Sequence, residues 1–187
     1  MDEERIAYQG RMIEVVHKDV LSGSSKKTFE YARRSPGVRL IVPKNNLVLL
    51  TKEFRHELNR YDYRLPGGKV FDSLEEYNAA LASGADIADA GKKQAIREAV
   101  EEAGIKVKGL SLVHRSICGA SVVWDLFYFI VEDFEEAEQQ LEDGEDISVE
   151  WVEKTKANAM CLNGSISEER SALILLRYLG GQFAEKR

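Results

Sequence analysis

The sequence has little of what marks several large classes of protein. It contains two cysteines and three prolines in 187 residues, so it has neither a disulfide framework nor a Pro-rich tract, and Cys118 and Cys161 lack the spacing of a zinc site. No apolar run approaches the roughly 18 to 20 residues that a membrane span needs. The first residues, Met1–Arg5, are charged where a signal peptide has its apolar segment. These absences predict one cytoplasmic domain over residues 1–187, with no membrane partner.

Positive charge is missing from one part of the chain. Residues 131–153 contain eleven acidic residues and no lysine or arginine, and the net charge of the whole chain is -6. A negative chain of this kind disfavours a nucleic-acid partner. The first sixty residues are basic by comparison and include Arg33, Arg34, Arg39, Lys52, Arg55 and Arg60. Solvated surfaces explain most such asymmetry, but the pattern also suits basic groups that hold phosphates and acidic groups that hold a cation.

Hydrophobic periodicity and turn residues predict a mixture of strands and helices. The predicted strands are residues 11–20, 28–32, 38–42, 47–54, 110–117, 122–131 and 147–152. Ser73 and Glu76 have capping-box spacing and predict a helix that ends before Gly84. Asp89 is the expected cap of a second helix over residues 90–103, and a third is expected over 168–179. Because strands outnumber helices, the sequence predicts an α+β fold, a mixed sheet with helices packed on it.

Three glutamates on the second predicted helix carry the most chemical information. Glu98, Glu101 and Glu102 lie at positions i, i+3 and i+4, so they share one face. Like charges at this spacing weaken a helix, and Arg97 can pair with Glu101 but cannot neutralise all three. On the glutamates alone, a solvated acidic face is the simpler interpretation. The alternative is a hard divalent cation, Mg²⁺ or Mn²⁺, which takes oxygen ligands.

The residues around these glutamates resemble the box of the Nudix hydrolases, Gly-x5-Glu-x7-Arg-Glu-U-x-Glu-Glu-x-Gly-U, where U is apolar. Residues 97–105 match every fixed position of its second half, and Gly68 matches the opening glycine. Gly68 and Arg97 are 29 positions apart where the motif has 14, so about fifteen residues, 72–86, are inserted. Asp89 stands eight positions before Arg97, where the motif has its early glutamate.

Within that family the chain is most similar to the ADP-ribose and nucleoside-diphosphate-sugar pyrophosphatases. Residues 34–37, Arg-Ser-Pro-Gly, resemble their Arg-His-Pro-Gly turn, and residues 53–55, Glu-Phe-Arg, replace their Gln-x-Arg. Residues 117–120 lack the proline of their Ser-Pro-Gly segment, so sugar nucleotides in general are expected rather than ADP-ribose alone. The resemblance implies a mixed sheet sandwiched between helices, and an antiparallel strand extension over residues 1–37 that builds a homodimer.

The same resemblance implies roles for individual residues. The expected Mg²⁺ ligands, with Mn²⁺ as a substitute, are the backbone carbonyl of Gly67 and the carboxylates of Glu98, Glu101 and Glu102. Arg97 would orient these glutamates. The catalytic base would be an acid in residues 142–146, with Glu145 the first choice and Asp143 the second. The residues expected to contact phosphate or ribose of the substrate are Arg34 and Arg55.

The expected activity is metal-dependent hydrolysis of the diphosphate bond in a nucleoside diphosphate linked to a sugar, which gives a nucleoside monophosphate and a sugar phosphate. One alternative is a pyrophosphatase acting on nucleoside triphosphates or dinucleoside polyphosphates, which the extension over residues 1–37 disfavours. Another is a non-catalytic nucleotide-sensing module, which the intact glutamates disfavour. The insertion 72–86 is expected to form a docked helix that shapes the cleft or a dimer interface and supplies no metal ligand.

Overall fold

The computed structural model describes residues 3–183. Its strands are β1 Glu3–Gln9, β2 Glu14–Ser22, β3 Ser25–Arg33, β4 Gly37–Ile41, β5 Pro43–Lys44, β6 Leu47–Arg55, β7 Arg60–Arg64, β8 Ile105–Ser116, β9 Val122–Val123, β10 Leu126–Glu136 and β11 Ile147–Glu153. Its helices are α1 Leu74–Ser83, α2 Ile87–Glu101, α3 Lys154–Leu162 and α4 Glu169–Leu179. Within residues 3–183, no helix is both long and apolar enough to cross a membrane.

The strands of residues 3–183 form three sheets. The first has the order β1-β2-β3-β9, the second β4-β10-β8, and the third β11-β6-β5 with β7 also paired to β6. Strand β10 pairs parallel with β4 and antiparallel with β8, so the second sheet is mixed. Strands β2 and β3 form a hairpin that turns at Ser22–Ser25, and β5 pairs antiparallel with β6 in a second hairpin.

Alternate side chains of the central strands enter two different cores. On β10, Phe127 and Phe129 pack with Ala95 and Ala99 of α2. Tyr128, between them, belongs to the other core, which is formed with α3 and α4. Successive side chains of a strand point to opposite faces, so the central sheets have helix α2 on one side and α3 and α4 on the other. The predicted α+β fold, with a mixed sheet between helices, is confirmed.

Helix α2 begins earlier than the sequence analysis placed it. Asp86 is the cap, because its Oδ1 accepts the backbone N–H of Ala88 at 2.8 Å and of Asp89 at 3.2 Å. Asp89 lies inside the first turn and pairs with Lys93 at 2.8 Å. The prediction that Asp89 caps this helix was wrong, since two aspartates one turn apart are equally good cap residues and only packing selects between them.

Four elements were not predicted from the sequence: the two-residue strand β5, strands β1 and β7, and helix α3. Strands β1 and β7 have many charged and polar residues and no clean alternation, and α3 begins at Lys154 with no capping side chain. Strand β8 also begins at Ile105, five residues before the predicted start, because Lys106 and Lys108 occupy its outer face. Charged outer faces hide strands from a search for apolar runs.

Helix α1, which the insertion contributes, packs on the N-terminal sheet of its own chain. The Ser73 hydroxyl accepts the N–H of Glu76 at 3.2 Å, as the capping-box spacing predicted. Tyr77 is buried and stacks on Phe71 with ring centroids 5.5 Å apart. Asn78 Nδ2 donates to Glu14 Oε2 of β2 at 3.0 Å. The inserted helix therefore docks through both apolar and polar contacts.

Candidate active site

A cleft of about 510 Å³ lies where the loop after β7 meets helix α2. All eight residues to which the sequence analysis assigned a role line this cleft: Arg34, Arg55, Gly67, Arg97, Glu98, Glu101, Glu102 and Glu145. The fold thus brings together residues that are up to 111 positions apart in the sequence. Asp143, the second choice for the base, is not among the residues that line the cleft.

The two glycines of the loop fit where no side chain can. Gly67 has a φ of 142°, and a Cβ at this position would overlap the carbonyl of Val38. A Cβ on Gly68 would overlap the carboxylate of Glu98. The loop backbone is therefore pressed against both β4 and α2, and only glycine permits this approach.

The Gly67 carbonyl takes no part in the backbone hydrogen bonds that join the loop to β4. The carbonyls on either side of it accept backbone hydrogen bonds, Pro66 from Leu40 at 2.8 Å and Gly68 from Val38 at 2.9 Å. Within residues 3–183, the Gly67 oxygen accepts only one long contact, from Arg39 Nη1 at 3.4 Å. It is the loop oxygen best placed to serve as a ligand.

Glu98, which is buried, and Glu102, which is partly buried, both line the cleft. Gln94 Nε2 donates to Glu98 Oε1 at 2.8 Å, and the Gly67 N–H donates to Glu102 Oε2 at 2.7 Å. Burial raises the pKa of Glu102 to about 8 despite the Gly67 hydrogen bond, and the nearby charges of Glu98 and Glu145 add to the effect. Burial also raises the pKa of Glu98, with Glu101 and Glu145 contributing. The site therefore has more negative charge than its protein neighbours neutralise.

Arg97 forms an ion pair with only one of the three glutamates in and directly after α2 that line the cleft. Its Nε lies 3.4 Å from Glu101 Oε1, one helical turn away, and its side chain is about half exposed. This pair orients Glu101 at the rim of the cleft. Glu98 and Glu102 are held by Gln94 and the glycine loop instead.

The oxygen atoms available as metal ligands in the cleft suit a hard divalent cation. They are carboxylate and carbonyl oxygens, which Mg²⁺ and Mn²⁺ prefer. Within residues 3–183, no three acidic, His or Cys side chains converge closely enough to enclose an ion by themselves. A cation here would complete its coordination with water or phosphate oxygens, as Mg²⁺ commonly does.

The acidic loop before β11 brings two carboxylates to the cleft. Glu142 and Glu145 both line it, and they are linked because the Glu142 N–H donates to Glu145 Oε2 at 3.1 Å. Gly144 has a φ of 91°, which lets the chain turn back between them. Glu145 was the base predicted from the sequence within residues 142–146, whereas Glu142 was not predicted to reach the cleft.

The two arginines expected to bind substrate have different surroundings. Arg55 is already paired, its Nη1 donating to Glu53 at 2.7 Å and its Nε to Glu57 at 3.0 Å. The Arg34 guanidinium lies over the Trp124 ring, 4.4 Å from its centroid. Its buried Nε finds no hydrogen-bond acceptor within residues 3–183. Arg34 is the one whose donors remain available.

Arg39 has a structural role that was not predicted from the sequence. This buried residue of β4 lines the cleft, and its Nε donates to Glu168 Oε2 at 2.9 Å while its Nη1 donates to the Val38 carbonyl at 2.8 Å. The signal was present, since Arg39 interrupts the apolar run Val38–Val42. A charged residue in the middle of a buried strand indicates a paired and functional environment.

Comparison with known proteins places these observations in context. A family model described as the NUDIX domain matches residues 32–169, which is more than half of the chain. The chain is also similar to the crystal structure of an ADP compounds hydrolase, with a TM-score of 0.70 and 17% sequence identity over 97% of this chain and 95% of the other. At this identity the likeness shows a shared fold. Comparison with curated protein sequences gives no match.

Proposed function

The chain belongs to the Nudix family, and on that premise we propose that it is a Mg²⁺-dependent pyrophosphatase acting on a nucleoside diphosphate linked to a sugar. Cleavage of the diphosphate bond gives a nucleoside monophosphate and a sugar phosphate. The observation that supports this most is the pair of carboxylates beneath a glycine loop, the buried Glu98 and the partly buried Glu102, in a cleft that also contains Arg34, whose Nε has no hydrogen-bond acceptor within residues 3–183.

The residues proposed to hold the cation are Glu98, Glu102, Glu101 and the Gly67 carbonyl. When bound, a divalent cation neutralises phosphate oxygens and makes a bound water more acidic. Mn²⁺ would substitute because it takes the same oxygen ligands. Arg97 positions Glu101 through their 3.4 Å ion pair. Gln94 and the Gly67 N–H keep Glu98 and Glu102 aimed at the cleft.

Glu145 is the proposed general base. It lines the same cleft, and its charge is close enough to raise the pKa of both Glu98 and Glu102. Its carboxylate would accept the proton of the attacking water. The loop 142–146 contains Gly144, a residue without a Cβ whose backbone is less restricted than any other. We expect it to let Glu145 adjust its position when substrate fills the cleft.

Arg34 and Arg55 are the proposed contacts for phosphate and ribose. Arg34 is the stronger phosphate candidate, since Arg55 would have to exchange its pairs with Glu53 and Glu57 for a substrate oxygen. The proposed active form is a homodimer built through residues 1–37.

A substrate panel tests this function. We expect turnover of ADP-ribose, GDP-mannose or UDP-glucose with Mg²⁺, none in EDTA, and a monophosphate and a sugar phosphate as products identified by mass spectrometry. Faster release of pyrophosphate or phosphate from nucleoside triphosphates or dinucleoside polyphosphates would replace the proposed substrate class with the first alternative. Tight binding of sugar nucleotides without turnover in Mg²⁺ or Mn²⁺ would instead establish a nucleotide-sensing module.

A further inference from the structure

Three guanidinium groups from distant parts of the chain gather beside the cleft. Arg34 precedes β4, Arg39 lies on β4, and Arg170 lies in the first turn of α4. The guanidinium carbons of Arg34 and Arg170 each lie 4.4 Å from the ring centroid of Trp124. Contacts of this kind between a guanidinium and an aromatic face are favourable, most strongly when they are shielded from water.

Backbone contacts fix the same groups in place. Arg170 Nη1 donates to the Trp124 carbonyl at 2.8 Å. The Arg34 N–H donates to the carbonyl of Val123, the residue before Trp124, at 3.2 Å. Arg34, Trp124 and Arg170, which we call the Trp124 cluster, are therefore held together by main chain as well as by ring contacts.

The cluster contains more positive charge than its surroundings balance. The nearest acidic partner, Glu168, is used by Arg39, whose Nε and Nη2 donate to it at 2.9 and 3.3 Å, and by the Ser171 hydroxyl at 2.6 Å. Arg34 Nε and Arg170 Nη2 are buried with no hydrogen-bond acceptor within residues 3–183. Leaving a charged donor buried and unpaired is costly. An anion entering beside Arg34 would remove that cost.

Burial gives a second indication of the same imbalance. It lowers the pKa of Arg34, and the neighbouring charges of Arg39 and Arg170 lower it further, whereas Glu168 opposes the change only in part. Like charges held together in this way are usually balanced by a ligand or a counter-ion. Arg55, at another position of the cleft, shows the contrast because two glutamates already pair with it.

Arg34 is the phosphate contact of the proposed function, and the geometry points to Trp124 and Arg170 as the residues that position it, so that its guanidinium is held ready for a phosphoryl group. The planar guanidinium offers paired donors that match phosphate oxygens. Arg34 and Trp124 line the cleft, whereas Arg170 is not among its lining residues, so Arg170 is a positioning residue that anchors Trp124 and adds positive charge. This subsite, Arg34 with the two residues that position it, binds a phosphate ester without the metal. This inference deepens the proposed function, on which it rests for the identity of the anion as part of substrate or product.

Trp124 supplies its own probe. The chain has two tryptophans, so a Trp151→Phe variant leaves Trp124 as the source of tryptophan fluorescence. This variant is titrated in EDTA with AMP and with ribose 5-phosphate, and adenosine and ribose serve as uncharged controls. We expect a saturable fluorescence change with at least one ester and none with the uncharged compounds. The ester that binds more tightly identifies which half of the substrate the subsite holds.

Substitutions in the Trp151→Phe background test the individual residues. Arg34→Gln removes a charge-assisted contact and should weaken ester binding about tenfold or more. Arg34→Lys keeps the charge but loses the planar fork, and should weaken binding by a smaller factor, about threefold. Arg170→Gln should also weaken binding about threefold or more, because Trp124 loses its anchor, whereas Arg177→Gln on the same helix should change it less than about twofold. Thermal unfolding checks that each variant is folded, and Arg34→Lys provides the test if Arg34→Gln does not fold.

The results separate this inference from the proposed function. Absence of ester binding in EDTA, or equal binding by the wild type and both Arg34 variants, would overturn the subsite even if sugar nucleotides are hydrolysed. Equal binding by Arg170→Gln would remove the positioning role of Arg170. Ester binding in EDTA that depends on Arg34 and Arg170 would support the subsite even if the substrate panel showed no hydrolysis.

Discussion

Glu98 and Glu102 are the residues whose replacement should lower activity most, because Glu98 is buried, Glu102 is partly buried, and both are proposed ligands of the cation. We expect Glu98→Gln and Glu102→Gln each to lower kcat about 100-fold or more with a modest change in KM, since a metal ligand stabilises the charge that develops in the transition state. Steady-state kinetics with a sugar nucleotide at saturating Mg²⁺ provide the measurement. Glu75→Gln, on the exposed side of α1, is the control. Near wild-type kcat in either variant would contradict the metal assignment.

The raised pKa of Glu102 leads to a second prediction, which concerns the stability of the folded protein. The pKa of this carboxyl is about 8 in the folded chain, whereas an unperturbed glutamate has a pKa of 4.5. Between these two values the folded chain binds a proton that the unfolded chain does not, so the stability of the metal-free protein should fall as the pH rises through this range. Mg²⁺ competes with that proton. It should raise the melting temperature more at about pH 8 than at about pH 5.5, since ligands must be deprotonated to bind.

Thermal unfolding in EDTA and in Mg²⁺ across this pH range measures both effects. Glu102→Gln keeps the shape of the side chain but cannot titrate, so its melting temperature should depend less on pH in EDTA. A Mg²⁺ effect that is equal at both pH values, in the wild type, would show that Glu102 does not bind the ion.

The residues of the site could be predicted to different extents. Glu98, Glu101 and Glu102 are close in sequence, and helical spacing alone places them on one face. Whether the guanidinium groups of Arg34 and Arg55 are paired could not be predicted, because their pairing depends on acceptors that only the folded chain brings near them. Trp124 and Arg170 meet Arg34 across more than 80 residues, and no local pattern connects them.

Among the elements, those with strong local signals were the easiest to predict. Helix α1 has a capping box at Ser73 and a left-handed Gly84 at its end, and both are encoded within a few residues. Helix α3 has neither a side-chain cap at Glu153 nor a wide apolar face, and its buried residues are Ala157 and Met160. Such a helix is stabilised by packing on the sheet rather than by its own sequence.

The inserted helix α1 contacts the N-terminal sheet, and Asp72 is the one residue of the insertion 72–86 that lines the cleft. Removal of the helix should therefore affect the N-terminal sheet, and the cleft through it, rather than the metal. We expect replacement of residues 73–85 by a short Gly-Ser linker, which retains the Asp86 cap, to change KM or the stability of a dimer and to leave the Mg²⁺ dependence of kcat intact. Enzyme kinetics over a range of Mg²⁺ concentrations, together with light scattering, would measure both.

A milder variant serves as the comparison for this deletion. Asn78→Ala removes the donor to Glu14 Oε2 and should loosen the contact between α1 and β2 while the helix remains. Loss of Mg²⁺ binding by a folded deletion variant would contradict the prediction, since Glu75 or Glu76 would then belong to the metal site.

At the scale of the whole molecule, the fold class followed from the balance of strands and helices, but the sheet order did not. The parallel pairing of β4 with β10 joins segments more than 80 residues apart, and the short β9 completes the N-terminal sheet by pairing with β3. The spacing of residues along the sequence does not indicate which distant strands pair. They are selected by burial of both faces of β4 and β10, whose alternate side chains enter two different cores.

The N-terminal sheet presents apolar side chains that the rest of the described chain does not cover. Ile6, Tyr8, Leu21 and Phe29 are 48%, 63%, 68% and 55% exposed. Strand β1 lies at the edge of this sheet, where backbone groups are available to a neighbouring strand. Exposed apolar surface together with an open strand edge is typical of an interface between protein chains. It supports the expectation that residues 1–37 build a homodimer.

Light scattering at micromolar concentration should therefore give about twice the chain mass of 21.1 kDa. Phe29→Glu places a charge in the apolar surface of β3, where burying it against a partner would leave it unpaired, so this variant should shift the mass toward that of a monomer. Leu162→Glu is the matched control, because Leu162 is 72% exposed on α3 and lies outside the N-terminal sheet. A monomeric mass for the wild type would refute the dimer. A dimer that Phe29→Glu and Leu162→Glu leave equally intact would place the interface elsewhere on the chain.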